Sequence, residues 1–210
     1  MLTEQYIDNL AQNMEAVVPA PSPYRLFLKW IIGSFLYIAV GLIFMGVRPD
    51  CVHKLQSPLF TAELAALGGV IFTSMLSAAL LAFPDIYQKK RAAFLPIPMF
   101  LLFMFILILA FHADNPPAPP PPHAMECLLC IILLSLLPCG FILYTIRKFA
   151  STHYYMAGCV AVLSAFSIGA LALRLSEETD SIAHIVQWHY LPMIGAGIIG
   201  ILLGKLCLKW

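Results

Sequence analysis

Residues 94–111 read FLPIPMFLLFMFILILAF, eighteen positions without a charged or amide side chain. Such a run has no polar face to turn towards water, so it does not read as the surface helix of a soluble domain. A helix crossing the hydrocarbon core of a bilayer needs about 20 predominantly apolar residues, and this run approaches that length. The solvent it implies is lipid. Outward from it, five more stretches meet the criterion: 26–46, 59–83, 125–146, 153–173 and 182–206.

The rest of the chain agrees. Of its 210 residues, 61% are hydrophobic and 11% charged, against about 25% charged in a soluble domain. Mean hydropathy is +0.88. A formal net charge of +1 leaves no strongly basic face, so direct nucleic-acid binding is not expected. The expected fold is all-α, a polytopic membrane protein of six transmembrane helices. Residues 1–22 form a separate amphipathic segment and 23–210 the transmembrane domain.

Lysine and arginine set orientation. With the N-terminus inside, Arg25, Lys29, Lys89, Lys90, Arg91, Arg147, Lys148, Lys205 and Lys209 are inside and Arg48, Lys54 and Arg174 outside. That is an N-in, C-in arrangement. No secretory signal peptide is expected, because the first apolar run is full length and follows an acidic segment.

Residues 2–18, LTEQYIDNLAQNMEAVV, place Leu2, Tyr6, Leu10 and Met14 on one helical stripe, with Ile7 and Val17 beside it. Thr3 suits the start of a helix, and PAPSP (residues 19–23) stops it. Three roles fit the stripe: packing on the protein's own bundle, presenting a helix to the groove of a soluble partner, or lying on the membrane. The third lacks the basic face that anionic lipids favour.

Polar residues inside spans are functional candidates by default. Glu63 lies about one turn into the second span, and His184 and His189 lie early in the sixth. The first outer loop adds Arg48, Asp50, Cys51 and His53. Five residues apart, the two histidines point about 140° apart on an α-helix, a poor pair for one ion. No metal and no cofactor is therefore expected. The plain reading is that Arg48, Asp50, Glu63 and His189 form a polar cluster joining helix ends.

ECLLC, residues 126–130, is more pointed. Cys127 and Cys130, one turn apart, share a helical face. Such a pair forms a strained disulfide, binds a soft metal ion, or simply packs. The preceding PPAPPPP (residues 116–122) would reach about 22 Å as polyproline II. Neighbouring helices are about 10 Å apart, so the run reads as an arch rather than a taut bridge.

Several stretches carry a resemblance: YIDNLAQNMEAVVPAPSPYRLFLKW (6–30), GVRPDCVHKLQSPLFTAEL (46–64), LPIP (95–98), MECLLCIILLSLLPCGF (125–141) and IAHIVQWHYLPMIGAGIIGILLGKLCLKW (182–210). In order and spacing the chain resembles the NrsF-type family of bacterial six-span membrane proteins, negative regulators of an extracytoplasmic-function sigma factor.

The resemblance implies a non-enzymatic anti-sigma factor of the bacterial inner membrane. It would hold its cognate sigma factor through Tyr6, Ile7, Leu10 and Met14 and release it on a periplasmic stress signal. It also implies sensing by periplasmic cysteines. Cys127 matches the family cysteine before LSLLP (134–138), and Cys130 and Cys51 stand by as further candidates. The family's second cysteine would fall near Ser176 or Glu177, where this chain has none. The alternative from another class is a small membrane thiol oxidoreductase or transporter using Cys127 and Cys130.

Overall fold

A computed structural model describes residues 2–12, 20–84, 90–113 and 124–209. Met14, Lys89 and the proline run at 116–122 lie outside the described residues. Those residues form helices and connections, with no strand among them. The helices are α1 (Leu2–Gln12), α2 (Pro23–Met45), α3 (Cys51–Lys54), α4 (Pro58–Leu81), α5 (Lys90–Ala93), α6 (Pro96–Ala113), α7 (Ala124–Arg147), α8 (Tyr154–Ser176), α9 (Ile182–His184) and α10 (Pro192–Cys207). A π-helical segment, Ile185–Tyr190, joins α9 to α10. Among the described residues, six helical stretches are long and apolar enough to cross a membrane: Pro23–Met45, Pro58–Leu81, Arg91–Ala113, Met125–Arg147, Tyr154–Ser176 and Ile182–Cys207.

Local chemistry sets several boundaries. α2 begins with Ser22 accepting from the Arg25 N–H and with Pro23 in the first turn, where a missing N–H costs nothing. It ends at Gly46, whose φ of +83° suits a residue without a Cβ. α4 and α10 likewise start on prolines, Pro58 and Pro192.

Inside α7, Pro138 cannot donate to the carbonyl of Leu134. An orphan carbonyl in lipid is costly. Here the Tyr37 hydroxyl of α2 donates to it at 2.8 Å.

α8 is the centre of the bundle, packed against α10, α7, α4 and α2. Its buried face is rich in Ala, Gly and Ser, including Ala157, Gly158, Ala161, Ser164, Ala165, Ser167, Gly169 and Ala170. Small side chains let backbones approach where lipid supplies no hydrophobic drive between helices. The closest approach is to α10: a Cβ on Gly200 would stand 2.6 Å from the Gly158 carbonyl oxygen and 2.8 Å from Cys159 Cα. α4 packs against α8, α6 and α2, while α2 itself buries Leu26 and Trp30.

The bundle has two polar ends. At one, Ser151 donates to the Leu81 carbonyl and Ser77 to that of Ala93. At the other, here called the far end, the 46–57 and 177–181 connections meet, and the Arg48 N–H bonds to the Leu175 carbonyl. α8 runs on to Ser176, three residues past the stretch read from hydropathy. Arg174 therefore lies buried in its last turn rather than in a loop.

Candidate functional site

Three polar groupings converge on the far end. The first ties the two connections together. Arg48, its side chain fully buried, donates from Nε to Asp50 Oδ1 at 2.6 Å and from Nη2 to Asp50 Oδ2 at 2.9 Å. It also donates to Asp180 Oδ1 at 3.1 Å, and Lys54 Nζ lies 2.7 Å from Asp180 Oδ2.

Hydrogen bonds from Arg48 hold the Asp50 carboxyl below its ordinary range. Partial burial pushes Asp180 the other way, but Lys54 and Arg48 outweigh it and lower it too. Carboxyls with depressed native values add stability above the unfolded pKa, about 4, and lose it as pH falls through the native values. The thermal midpoint of an Asp180→Asn variant in detergent should therefore trail wild type at neutral pH. The gap should close as pH drops below about 4. A gap independent of pH would contradict this.

The second grouping is deeper. Glu63 of α4, buried, accepts from Arg174 Nε at 2.8 Å and from Nη2 at 3.3 Å. The Tyr190 hydroxyl also donates to Glu63, and Arg174 Nη1 donates to the Thr179 carbonyl at 3.1 Å. The Arg174 guanidinium lies 4.7 Å from the Phe60 ring centre and that of Arg48 lies 5.6 Å from the same ring. The grouping thus locks α4, α8 and the π segment with a charged pair in which every side-chain nitrogen and oxygen has a partner.

The third grouping holds Cys127 in the first turn of α7, Glu177 just past α8, and His184 and His189 of the last span. One ligand-type atom from each lies within 4.8 Å of all the others. Cys127 Sγ donates to Glu177 Oε1 at 3.6 Å. His184 Nε2 is 3.8 Å from Oε1, and His189 Nε2 is 3.2 Å from Oε2. Burial would raise the Glu177 carboxyl, but His189 and the Thr179 hydroxyl outweigh it and hold it at about 2. The two imidazoles are 2% and 1% exposed, and none of their four ring nitrogens has an aligned hydrogen-bond partner.

The histidine pairing departs from the sequence reading, and the backbone explains why. Pro192 has no N–H, and its ring would clash with the Trp188 carbonyl four residues back, so an α-ladder cannot continue through it. The helix widens instead: Leu191 N–H bonds to the Val186 carbonyl, five residues back, at 2.8 Å. In a π-turn, residues five apart fall on one face. His184 and His189 therefore meet, ring centres 5.4 Å apart, rather than pointing about 140° apart as α-geometry implies.

Arg48 and Asp50 are brought together, but Glu63 pairs with Arg174 and Tyr190, and His189 faces Glu177. Cys130 is half-buried one turn beyond Cys127, and Cys51 opens α3; neither joins the four-residue group among the described residues. All six cysteines are thiols. The position where the resemblance looked for a second cysteine, near Ser176 or Glu177, holds the carboxylate that Cys127 touches. Sequence reasoning missed Arg174, Glu177 and Tyr190 as partners. The usable signal was Pro192 shortly after the histidines, which marks a broken ladder.

At the opposite end of the chain, α1 carries its stripe unburied: Tyr6 is 67% exposed, Ile7 59% and Leu10 53%. Every described side chain from Thr3 to Gln12 is exposed.

Comparison with known proteins adds three findings. No solved structure matches the chain. A protein of Azospira oryzae named probable anti-sigma-F factor NrsF is 27% identical over 216 residues, and the match spans the full length of both chains. The family model described as negative regulator of sigma F matches residues 10–210, from Leu10 to the last residue. The chain therefore belongs to the NrsF family, the negative regulators of sigma F.

Proposed function

We propose that this protein is a non-enzymatic anti-sigma factor of the bacterial inner membrane that sequesters an extracytoplasmic-function sigma factor on its N-terminal segment. Residues 1–22 and the C-terminus face the cytoplasm in this reading, and the far end faces the periplasm. A stress signal received there, with Cys127 at its centre, releases the sigma factor.

The observation that carries the reading is the exposed stripe of α1. An eleven-residue helix is marginal alone in water. A stripe of Tyr6, Ile7 and Leu10 left off the bundle favours a docking partner over packing on its own protein. Membership of a sigma-regulating family supplies the partner class. Met14, the next position on the stripe, belongs to the same proposed contact.

The alternative of a thiol oxidoreductase or transporter finds less support. Cys127 faces a carboxylate rather than a second dithiol. The buried charges Arg48, Glu63 and Arg174 gather at one end of the bundle, where a transporter would need them at mid-membrane.

The test is co-purification of the cognate sigma factor with wild type and with Leu10→Asp/Met14→Asp. Burying two carboxylates in an apolar contact should reduce recovery at least about tenfold. Equal recovery would sink the assignment. Reporter fusions at residues 86 and 118 test orientation: the first should report cytoplasm and the second periplasm.

A further inference from the structure

Four side chains at the far end belong to three of the ligand types that zinc takes: thiolate, carboxylate and imidazole. Around a tetrahedral zinc with bonds of about 2.0–2.3 Å, ligand atoms stand roughly 3.3–3.7 Å apart. The separations are of that order: Glu177 Oε1 stands 3.6 Å from Cys127 Sγ and 3.8 Å from His184 Nε2, and Glu177 Oε2 stands 3.2 Å from His189 Nε2. No pair exceeds 4.8 Å, so shifts of about 1 Å would bring all four onto one ion.

Burial gives a second, independent reason. Polar atoms left unpaired in a protein interior are costly. Yet both ring nitrogens of His184 and Nδ1 of His189 are buried without a hydrogen-bond partner, and His189 Nε2 and Glu177 Oε2, 3.2 Å apart, are out of hydrogen-bond alignment. The chain also adopts a π-turn at the one place where it brings these two imidazoles to a common face. π-turns of this kind are frequent at functional sites. Cys127 and Glu177 are both half-buried.

We infer that Cys127, Glu177, His184 and His189 form a binding site for a single zinc-class divalent metal ion. The donor set selects the ion. One carboxylate among two imidazoles and a sulfur suits zinc, cobalt or cadmium, and not magnesium or calcium, which take all-oxygen shells. On binding, the Cys127 S–H bond is replaced by an S–metal bond and the proton passes to water. Thiolate and carboxylate then neutralise the two positive charges, and each neutral imidazole supplies one nitrogen lone pair. The bound ion joins the first turn of α7 to the end of α8 and to the last span. The site stands whether or not the protein binds a sigma factor.

The test uses the full chain purified in detergent, loaded separately with Zn²⁺ and Co²⁺ and passed over a weak competing chelator. Wild type should retain one equivalent of either ion. The cobalt form should show the intense visible bands of tetrahedral coordination and a near-ultraviolet sulfur-to-cobalt charge-transfer band. Cys127→Ser should lose the charge-transfer band, and Cys130→Ser should keep it. Partners outside the ligand shell already change metal affinity by about 10–100-fold. Loss of a ligand in His184→Gln or His189→Gln should therefore weaken retention at least about a hundredfold. The wild-type measurement decides by itself if a variant fails to fold. Absence of a retained ion or of tetrahedral bands in wild type would overturn the site, as would an unchanged charge-transfer band in Cys127→Ser.

Discussion

Glu63→Gln is expected to lower the unfolding free energy in detergent by about 3–5 kcal/mol, the usual cost of removing one partner from a buried ion pair. Arg174 would keep its charge, 4% exposed and away from water, with the Thr179 carbonyl and the face of Phe60 as its main remaining contacts. Tyr190 would lose the carboxylate it donates to. The double variant Glu63→Leu/Arg174→Met should recover most of that loss, because replacing both members of such a pair with apolar groups is often close to neutral. Unfolding of the three proteins by heat or by a denaturing detergent gives the comparison. A single variant within about 1 kcal/mol of wild type would show that the pair does not hold the far end together.

Gly200→Leu is the second large effect. Its Cβ would fall 2.6 Å from the Gly158 carbonyl oxygen and 2.8 Å from Cys159 Cα. Both obstacles are backbone, so no rotamer change relieves them. Inserting atoms into a packed core costs about 1–3 kcal/mol, and this site should lie at or above the upper figure. Gly195→Leu, where a Cβ meets nothing within 4 Å, is the control on the same helix and should change little. Equal unfolding midpoints for the two variants would refute close packing of α8 on α10.

The six spans were legible because lipid imposes a simple rule on every residue of a crossing helix. Residues 94–111 obey it without exception, and the span there extends from Arg91 to Ala113. What hydropathy could not supply was pairing across helices. Glu63 was visible as an isolated acid, but its partner Arg174 lay just past the stretch that scored as apolar. Only the extension of α8 to Ser176 brings it inside.

The histidines were visible for the opposite reason, and misread. Their spacing was interpreted with a helical repeat that Pro192 does not permit. Glu177 entered the sequence reading only as a place without a cysteine, and its closeness to Cys127 depends on how α7 and α8 end in space. Periodicity within one segment carries no such information. Tyr6, Ile7 and Leu10 lie on a helix from Leu2 to Gln12, but what that helix faces is a property of the bundle rather than of residues 2–12.

α2 is gripped lightly, burying little beyond Leu26 and Trp30 along twenty-three residues, and it is the span that leads directly from the segment carrying α1. It stands as an outrigger, with little buried surface to lose on displacement. One bond it would surrender is that from Tyr37 to the Leu134 carbonyl, at the notch Pro138 cuts in α7. The same α7 begins with Cys127. A side-chain hydrogen bond thus ties a loosely held span to a notched one, beside the tightly packed α8–α10 keel.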